Sequence, residues 1–258
     1  CGFKCGQLSY LYSRLAHHNP MWLNALQAVR DLEAQYISQG LNALKDMGYL
    51  QPQKVEDTPL DESLFEPYSG QFAPYLLRRG VTLATGKRWG VGVDVERKRS
   101  LIPVRGTRGE LWGAVGRTYV NQNPKYLNYW EMKKGKHLLG AHLINRAACT
   151  VVVEGSIDAL IADQAIQNAG RGDEFNVVSV LGASISKEQA QKIIAVSTEV
   201  YLALDADEAG QRGVASALKL LSKRVITKVC DIGSVGTKDF GSCSEEAIIN
   251  TLDNANLS

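Results

Sequence analysis

Two short acidic motifs, about fifty residues apart, carry the residue types best suited to chemistry in this chain: Val151-Val-Val-Glu-Gly-Ser-Ile-Asp-Ala-Leu160 and Leu202-Ala-Leu-Asp-Ala-Asp-Glu-Ala-Gly210. In each, an apolar run of buried-strand type stops at carboxylates and passes into a helical pattern. Glu154, Asp205 and Asp207 are therefore expected at the carboxyl ends of strands, where open α/β sheets place their ligand sites. Carboxylates clustered without a basic partner in either motif suit a hard cation held through oxygen, and Mg²⁺ is the expected ion. A lone carboxylate after a strand is as often a helix N-cap. The set of three argues for a metal.

The elements that must position these groups are legible in the alternation from Arg146 onward. Strands expected over 150–153, 177–181, 200–204 and 225–231 alternate with helices over 157–168, 187–195 and 209–221, which predicts right-handed crossovers and a parallel sheet covered on both faces. A last short helix is expected over 244–252. Before this region lies a small mixed one, about 68–145, with a short helix near 73–79 and a hairpin whose strands, 100–104 and 110–116, flank a turn at 105–109. Residues 7–67 read as helical and then as an acidic linker marked by Pro52, Pro59 and Pro67.

Charge is unevenly spread over these regions. The formal net charge of +2 hides a segment from Arg78 to Lys136 with 14 Lys and Arg against 4 Asp and Glu. A basic region beside an acidic one implies a polyanionic partner next to the metal site, although a single charge run is more often a solvated face. Trp89, Trp112, Tyr119, Tyr126, Tyr129 and Trp130 lie in the same segment, and aromatics interleaved with basic residues suit stacking on single-stranded bases.

The remaining composition narrows the classes. With 258 residues, 45% of them apolar, the chain can bury one large core or two modest ones. No stretch approaches the length of a membrane span and no signal peptide is visible, so the expected location is cytoplasmic. Five scattered cysteines argue against a disulfide framework, and Cys149 and Cys230 are expected to be inert core thiols. Residues 1–6, Cys-Gly-Phe-Lys-Cys-Gly, look like one knuckle of a zinc ribbon. Cys1 and Cys5 would hold Zn²⁺ only with further ligands upstream, as if the chain were a fragment.

Glu154-Gly-x-x-Asp-Ala159, Leu181-Gly-Ala-Ser184 and Asp205-x-Asp-x-Ala-Gly210, in this order and spacing, resemble the TOPRIM fold of DnaG-type primases, topoisomerases and some nucleases. The preceding segment narrows the resemblance to the DnaG-type primases. Tyr75-Leu-Leu-Arg-Arg-Gly-Val81 with Gly90-Val-Gly-Val93 is similar to the start of their polymerase domain, and Arg99-Ser-Leu-Ile-Pro-Val104, Gly109-Glu-Leu-Trp-Gly113 and Gly116-Arg117 are similar to its hairpin. Pro124-Lys-Tyr-Leu-Asn128, Lys134-Gly135 and Leu138-Leu-Gly140 resemble its most distinctive basic motif.

The resemblance implies an α/β architecture: a TOPRIM parallel sheet flanked by helices over 146–240, preceded by a basic α+β subdomain over 68–145 and a helical N-terminal segment, and followed by a tail over 241–258. It implies an enzyme that makes short RNA primers from ribonucleoside triphosphates on a single-stranded DNA template, with Mg²⁺ or Mn²⁺ and a replicative helicase as partner, in a phage or mobile element. Asp205 and Asp207 would ligate metal jointly, with Glu154 as a third ligand or general acid/base and Asp158 one helical turn further on. Asp158 would otherwise only favour its helix N-terminus. Lys125 and Lys134, with Tyr126 and Asn128 of the same motif, match groups near the nucleotide or nascent primer; Arg99 and Arg117 match the template or phosphate path. At Thr237-Lys-Asp-Phe-Gly241 only Asp239 stands where the family tends to place two acids, so a reduced second metal site is expected. Ser156 stands where the family often has a larger residue. Too little chain follows for a helicase-interaction domain, and no phosphate loop of a built-in helicase occurs. The competing readings are a TOPRIM nuclease, which does not explain the 124–128 motif, a topoisomerase, which would need a separate domain for its strand-cleaving tyrosine, and a non-catalytic module that binds single-stranded DNA.

Overall fold

The computed structural model describes residues 58–145 and 147–257, together with Asp31, Leu32, Gln35, Tyr36 and Gln39, which are helical and exposed. The expected zinc knuckle at Cys1 and Cys5 and nearly all of the expected N-terminal helical segment and linker lie outside the described residues. The chain divides into two compact units, 1–57 and 58–258, and the second holds both expected subdomains.

The basic subdomain is a four-stranded antiparallel sheet in the order β1 (Gly92–Asp94), β2 (Arg99–Arg105), β3 (Leu111–Thr118) and β4 (Tyr126–Tyr129), introduced by helices α1 (Pro74–Arg78) and α2 (Leu83–Arg88). The expected hairpin is β2–β3, with Ile102 opposite Val115 and a register shift after Val104. Gly109 closes its turn at φ +86, a conformation glycine adopts without a Cβ clash. Proline is tolerated in β2 because β1 pairs only with Arg99–Leu101, leaving Pro103 beyond its end. The 58–67 stretch, expected as linker, is instead packed on this sheet: Leu60 bridges Leu111, Phe65 is buried, and Glu62 pairs with Arg105.

The second sheet runs β6 (Phe175–Ser179), β5 (Cys149–Val153), β7 (Glu199–Ala203), β8 (Ile226–Val229) and β9 (Asn256–Leu257). The first four are mutually parallel, as the apolar runs predict, and β9 adds an antiparallel edge that the sequence did not announce. The intervening helices are α3 (Ser156–Asn168), α4 (Lys187–Val196), α5 (Glu208–Leu221) and, after β8, α6 (Glu245–Asp253). Because side chains alternate across a strand, Val151 and Val153 face one core and Val152 the other. The first core joins α3 and α6 to the antiparallel sheet through Trp89, Ile102, Val104 and Val115; the second is closed by Ile193 of α4 and Ala217 and Leu221 of α5. Helix α3 is buried over almost its whole circumference, and Asp163 within it accepts hydrogen bonds from Trp89 Nε1 (2.7 Å) and Arg88 Nε (3.0 Å). This buried, charge-assisted link fixes one subdomain against the other.

Cys230 is buried and burial pushes its thiol up to about 12; burial also raises the half-buried Cys149 thiol. Neither is a thiolate near neutral pH, as expected of core cysteines.

Candidate active site

From β5 the chain goes out to β6 on one side, then returns past β5 to β7 on the other. That reversal leaves a crevice beyond the carboxyl ends of β5 and β7, neighbours paired Val153 to Ala203. Glu154 leaves β5 at this edge and Asp205 leaves β7, and the Asp205 N–H donates to Glu154 Oε1 at 3.1 Å. The Glu154 backbone is held too: its carbonyl accepts from Ser179 Oγ (2.8 Å) and from the Gly182 N–H (3.2 Å). The Ser179 hydroxyl in turn accepts from the N–H of Leu181, a non-glycine residue held in the left-handed region at φ +57. Such a conformation costs about 1–3 kcal/mol and persists only where the surroundings enforce it.

Asp158 lies in the first turn of α3, as its spacing predicts, with Oδ2 accepting from the Gly155 N–H (3.0 Å) and Oδ1 from the Gly241 N–H (2.9 Å). Asp158 thus serves its helix terminus, as one of its two expected roles has it, and stands beside the other carboxylates of the crevice. Asp239 brings a fourth carboxylate to the crevice, and its Oδ1 is buried with no hydrogen-bond partner among the described residues. Burial and mutual repulsion mark the group: burial first and then the Asp205 carboxylate push Glu154 up to about 7, while burial and then Asp239 push Asp158 up to about 6. Asp205 is likewise raised by burial and by Asp239.

Asp207 has a different environment. Its Oδ1 caps α5, accepting from the N–H groups of Ala209 (2.9 Å) and Gly210 (3.0 Å), and its Oδ2 pairs with Lys238 Nζ at 2.9 Å. The Lys238 side chain holds this carboxyl below the usual carboxylate range. Asp207 is not among the residues lining the crevice, whereas Lys238 is. Among the described residues no three His, Cys, Asp or Glu side chains converge as a ready-made metal centre. The donor set nevertheless suits a hard cation: it is all oxygen, partly buried, mutually repelling, and includes an orphaned buried Asp239 oxygen.

The opposite wall of the crevice, a cavity of about 610 Å³, comes from the antiparallel sheet and α1. Arg117 of β3, Lys125, Tyr126 and Asn128 at β4, and Lys134 in the loop beyond all line it. Arg117 lies between two rings, 5.4 Å from the centroid of Tyr75 and 5.0 Å from that of Tyr126, and donates from Nε to the Tyr75 hydroxyl at 3.2 Å. Tyr75 and Arg79 also line the cavity, and Arg79 donates to the Gly241 carbonyl at 3.2 Å. The sequence motif that contains them carries no expected site role, although a spacing of four on a helix is a signal that they share a face. Lys238 had no such signal beyond standing next to Asp239.

Two expected groups are placed elsewhere. Arg99 is buried, and its guanidinium donates to the carbonyls of Pro124 (2.8 Å), Gly116 (3.1 Å) and Lys125 (3.3 Å), so it holds the strand leading into the basic motif instead of facing the cavity. Of the aromatics read as a stacking set, Trp89 is fully buried on Asp163, Tyr129 is buried with its hydroxyl on Asp94 (2.8 Å), and Trp112 stacks on His137. Tyr126 is the one of the six that is both exposed and at the cavity.

A parallel sheet with carboxylates at its switch point, faced by a basic antiparallel sheet, defines a Toprim-bearing catalytic-core fold. The Toprim-like family model matches residues 151–242. The chain is 32% identical over 141 residues to a DNA primase of Aquifex aeolicus, covering 51% of this chain and 27% of that protein. It is 34% identical over 152 residues to one of Thermotoga maritima, covering 56% and 25%. It therefore spans about a quarter of the length of these curated relatives. Among solved structures, a DnaG primase catalytic domain bound to single-stranded DNA superposes with a TM-score of 0.61 at 22% identity over 76% of this chain and 77% of that one. The zinc-binding and RNA polymerase domains of Aquifex aeolicus primase superpose with a TM-score of 0.61 at 20% identity over 86% and 68%. Residues 151–242 are thus Toprim-like, the chain is similar in sequence to DNA primases, and its fold is that of the DnaG catalytic core. No helix among the described residues is long and apolar enough to cross a membrane.

Proposed function

We propose that this chain is the catalytic core of a primase, joining ribonucleotides on a single-stranded DNA template by metal-dependent nucleotidyl transfer. One observation carries the reading: Glu154, Asp158, Asp205 and Asp239 face Arg117, Lys125, Tyr126 and Lys134 across a single cavity. A nuclease would use the same carboxylates with water as the attacking group, but it does not explain the Lys125, Tyr126 and Asn128 motif of the second wall. Primer synthesis needs both, because the second must hold a template and a triphosphate next to the ions.

Glu154, Asp205 and Asp239 would hold Mg²⁺ or Mn²⁺, with Asp158 behind them and Asp207 contributing through Oδ2. A bound divalent cation supplies a lowered pKa for the attacking 3′-hydroxyl and neutralises triphosphate charge. Glu154, with its carboxyl near neutral pKa, acts as ligand or takes the hydroxyl proton. Lys125 and Lys134 attract the phosphates, Arg117 is held by its two tyrosines to meet the template backbone, and Tyr126 offers a ring for a base. Ribonucleoside triphosphates are the substrates this chemistry requires; a replicative helicase is the proposed partner and the cytoplasm the proposed location. The expected Zn²⁺ rests on Cys1 and Cys5 and has no support from the described residues.

The test is to incubate the full chain with single-stranded DNA, labelled ribonucleotides and Mg²⁺ or Mn²⁺, beside Asp205→Ala, with and without a pre-annealed primer. Labelled oligoribonucleotides made by the wild type and not by the variant are expected. Degradation of the input DNA without new product would assign a nuclease; indifference of every readout to Asp205→Ala would leave only a binding module.

A further inference from the structure

We propose that Lys238 is the resident counter-ion of Asp207 and competes with a divalent cation for that carboxylate, so that loading of the Asp207 position requires the lysine to leave. This rests on the reading of the crevice as a divalent-cation site.

The geometry makes the competition specific to one atom. Asp207 Oδ1 is engaged by two backbone N–H groups at the start of α5, at 2.9 and 3.0 Å, and so serves the helix. The oxygen left for an ion is Oδ2, the one that Lys238 Nζ meets at 2.9 Å. An ammonium and a divalent cation on one carboxylate oxygen repel each other, and a cation that draws on Oδ2 has to displace or share the place of the lysine.

Lys238 is also built to be moved. Its backbone is fixed, because the Ala206 N–H donates to the Lys238 carbonyl at 2.8 Å and straps residues 237–239 against the 205–207 loop. Its side chain is 61% exposed, so the ammonium can turn away into water without burying a charge. Next to it stands Asp239, its Oδ1 buried with no hydrogen-bond partner among the described residues. The strap thus presents one cation and one anion side by side to the same cavity, and departure of the lysine from Asp207 leaves a free ammonium at its lining.

Manganese binding, read as loss of the free Mn²⁺ signal in electron paramagnetic resonance, tests this without reference to catalysis. In the full chain Lys238→Met is expected to bind Mn²⁺ about two- to fivefold more tightly than wild type, the scale of an exposed ion pair. Lys238→Arg keeps the competitor and stays at the wild-type value. In an Asp207→Asn background the gain from Lys238→Met vanishes. Unchanged or weaker binding by Lys238→Met, an equal gain with Lys238→Arg, or a gain that survives Asp207→Asn overturns the proposal. If Mn²⁺ binds to wild type, is weakened by Asp205→Asn and ignores Lys238→Met, the exchange fails while the cation site stands. If no variant binds Mn²⁺, both fall.

Discussion

The two sheets bring chemistry to the same cavity by opposite means. In the parallel sheet the candidate groups lie beyond strand ends, so Glu154, Asp158, Asp205 and Asp239 are gathered from segments far apart in the chain, and the central strands β5 and β7 are mainly apolar core. In the antiparallel sheet the groups lie on or beside strands, and one basic residue can differ completely from the next: Arg117 faces the cavity and Arg99, on the paired strand, is sealed against three carbonyls. A parallel sheet concentrates charge at a line of carboxyl edges. An antiparallel sheet spreads it over faces, where burial decides which charges work and which hold the structure.

That contrast predicts effects of different kind and size. The largest should come from the parallel edge. Asp205→Asn should lower primer synthesis on the order of a hundredfold or more, the loss expected when an ion is no longer held at the reacting phosphate, while affinity for single-stranded DNA, measured by fluorescence anisotropy, changes by less than about twofold. A comparable loss of DNA affinity would break the division of labour.

Next is Arg99→Ala, which removes a buried guanidinium's bonds to three backbone carbonyls, of which that of Lys125 keeps the Thr118 N–H. It should cost on the order of 2–3 kcal/mol in denaturant unfolding. If stability is unaffected and DNA binding falls instead, Arg99 belongs to the working face after all.

The acidic edge also has a pH signature. Glu154 and Asp158, raised to about 7 and about 6, hold protons more tightly in the folded chain than in the unfolded one. Without added divalent cation, their contribution to stability is greatest below about pH 4 and is lost as pH rises through about 6 and then 7. Thermal unfolding should show the decline, and Mg²⁺ should reverse it above about pH 7, since only the ionised cluster takes the ion. A melting temperature that rises over this interval without metal would contradict the raised carboxyls.

The smallest effect belongs to the antiparallel face. Arg117→Ala should weaken single-stranded DNA binding by about fivefold, about 1 kcal/mol, and lower its salt dependence, with unfolding stability nearly unchanged. Equal salt slopes for the two proteins would remove Arg117 from the phosphate path.

The parallel region was readable because its central strands β5 and β7 are buried on both faces and their apolar runs end abruptly: Val151–Val153 and Leu202–Leu204 mark both the elements and the candidate site. The antiparallel region was less so. Strand β4 went unforeseen because Tyr126–Tyr129 is mostly exposed and follows a proline, so neither alternation nor burial announces it. Trp89 and Tyr129 looked like a stacking surface because composition cannot say which way a side chain points. Lys238 was missed because its partner Asp207 is remote in sequence, and ion pairs across a crevice leave no periodic trace.

Gly241 is a point of contingency. A Cβ at this position would lie 2.5 Å from Asp158 Oδ1, the oxygen now satisfied by the Gly241 N–H. The loop lies against the carboxylate of α3, so in Gly241→Asp either the Asp158 carboxylate or the loop has to shift to make room for the new side chain. A fifth carboxylate at this corner would therefore come at the expense of the hydrogen bond that now holds Asp158 Oδ1.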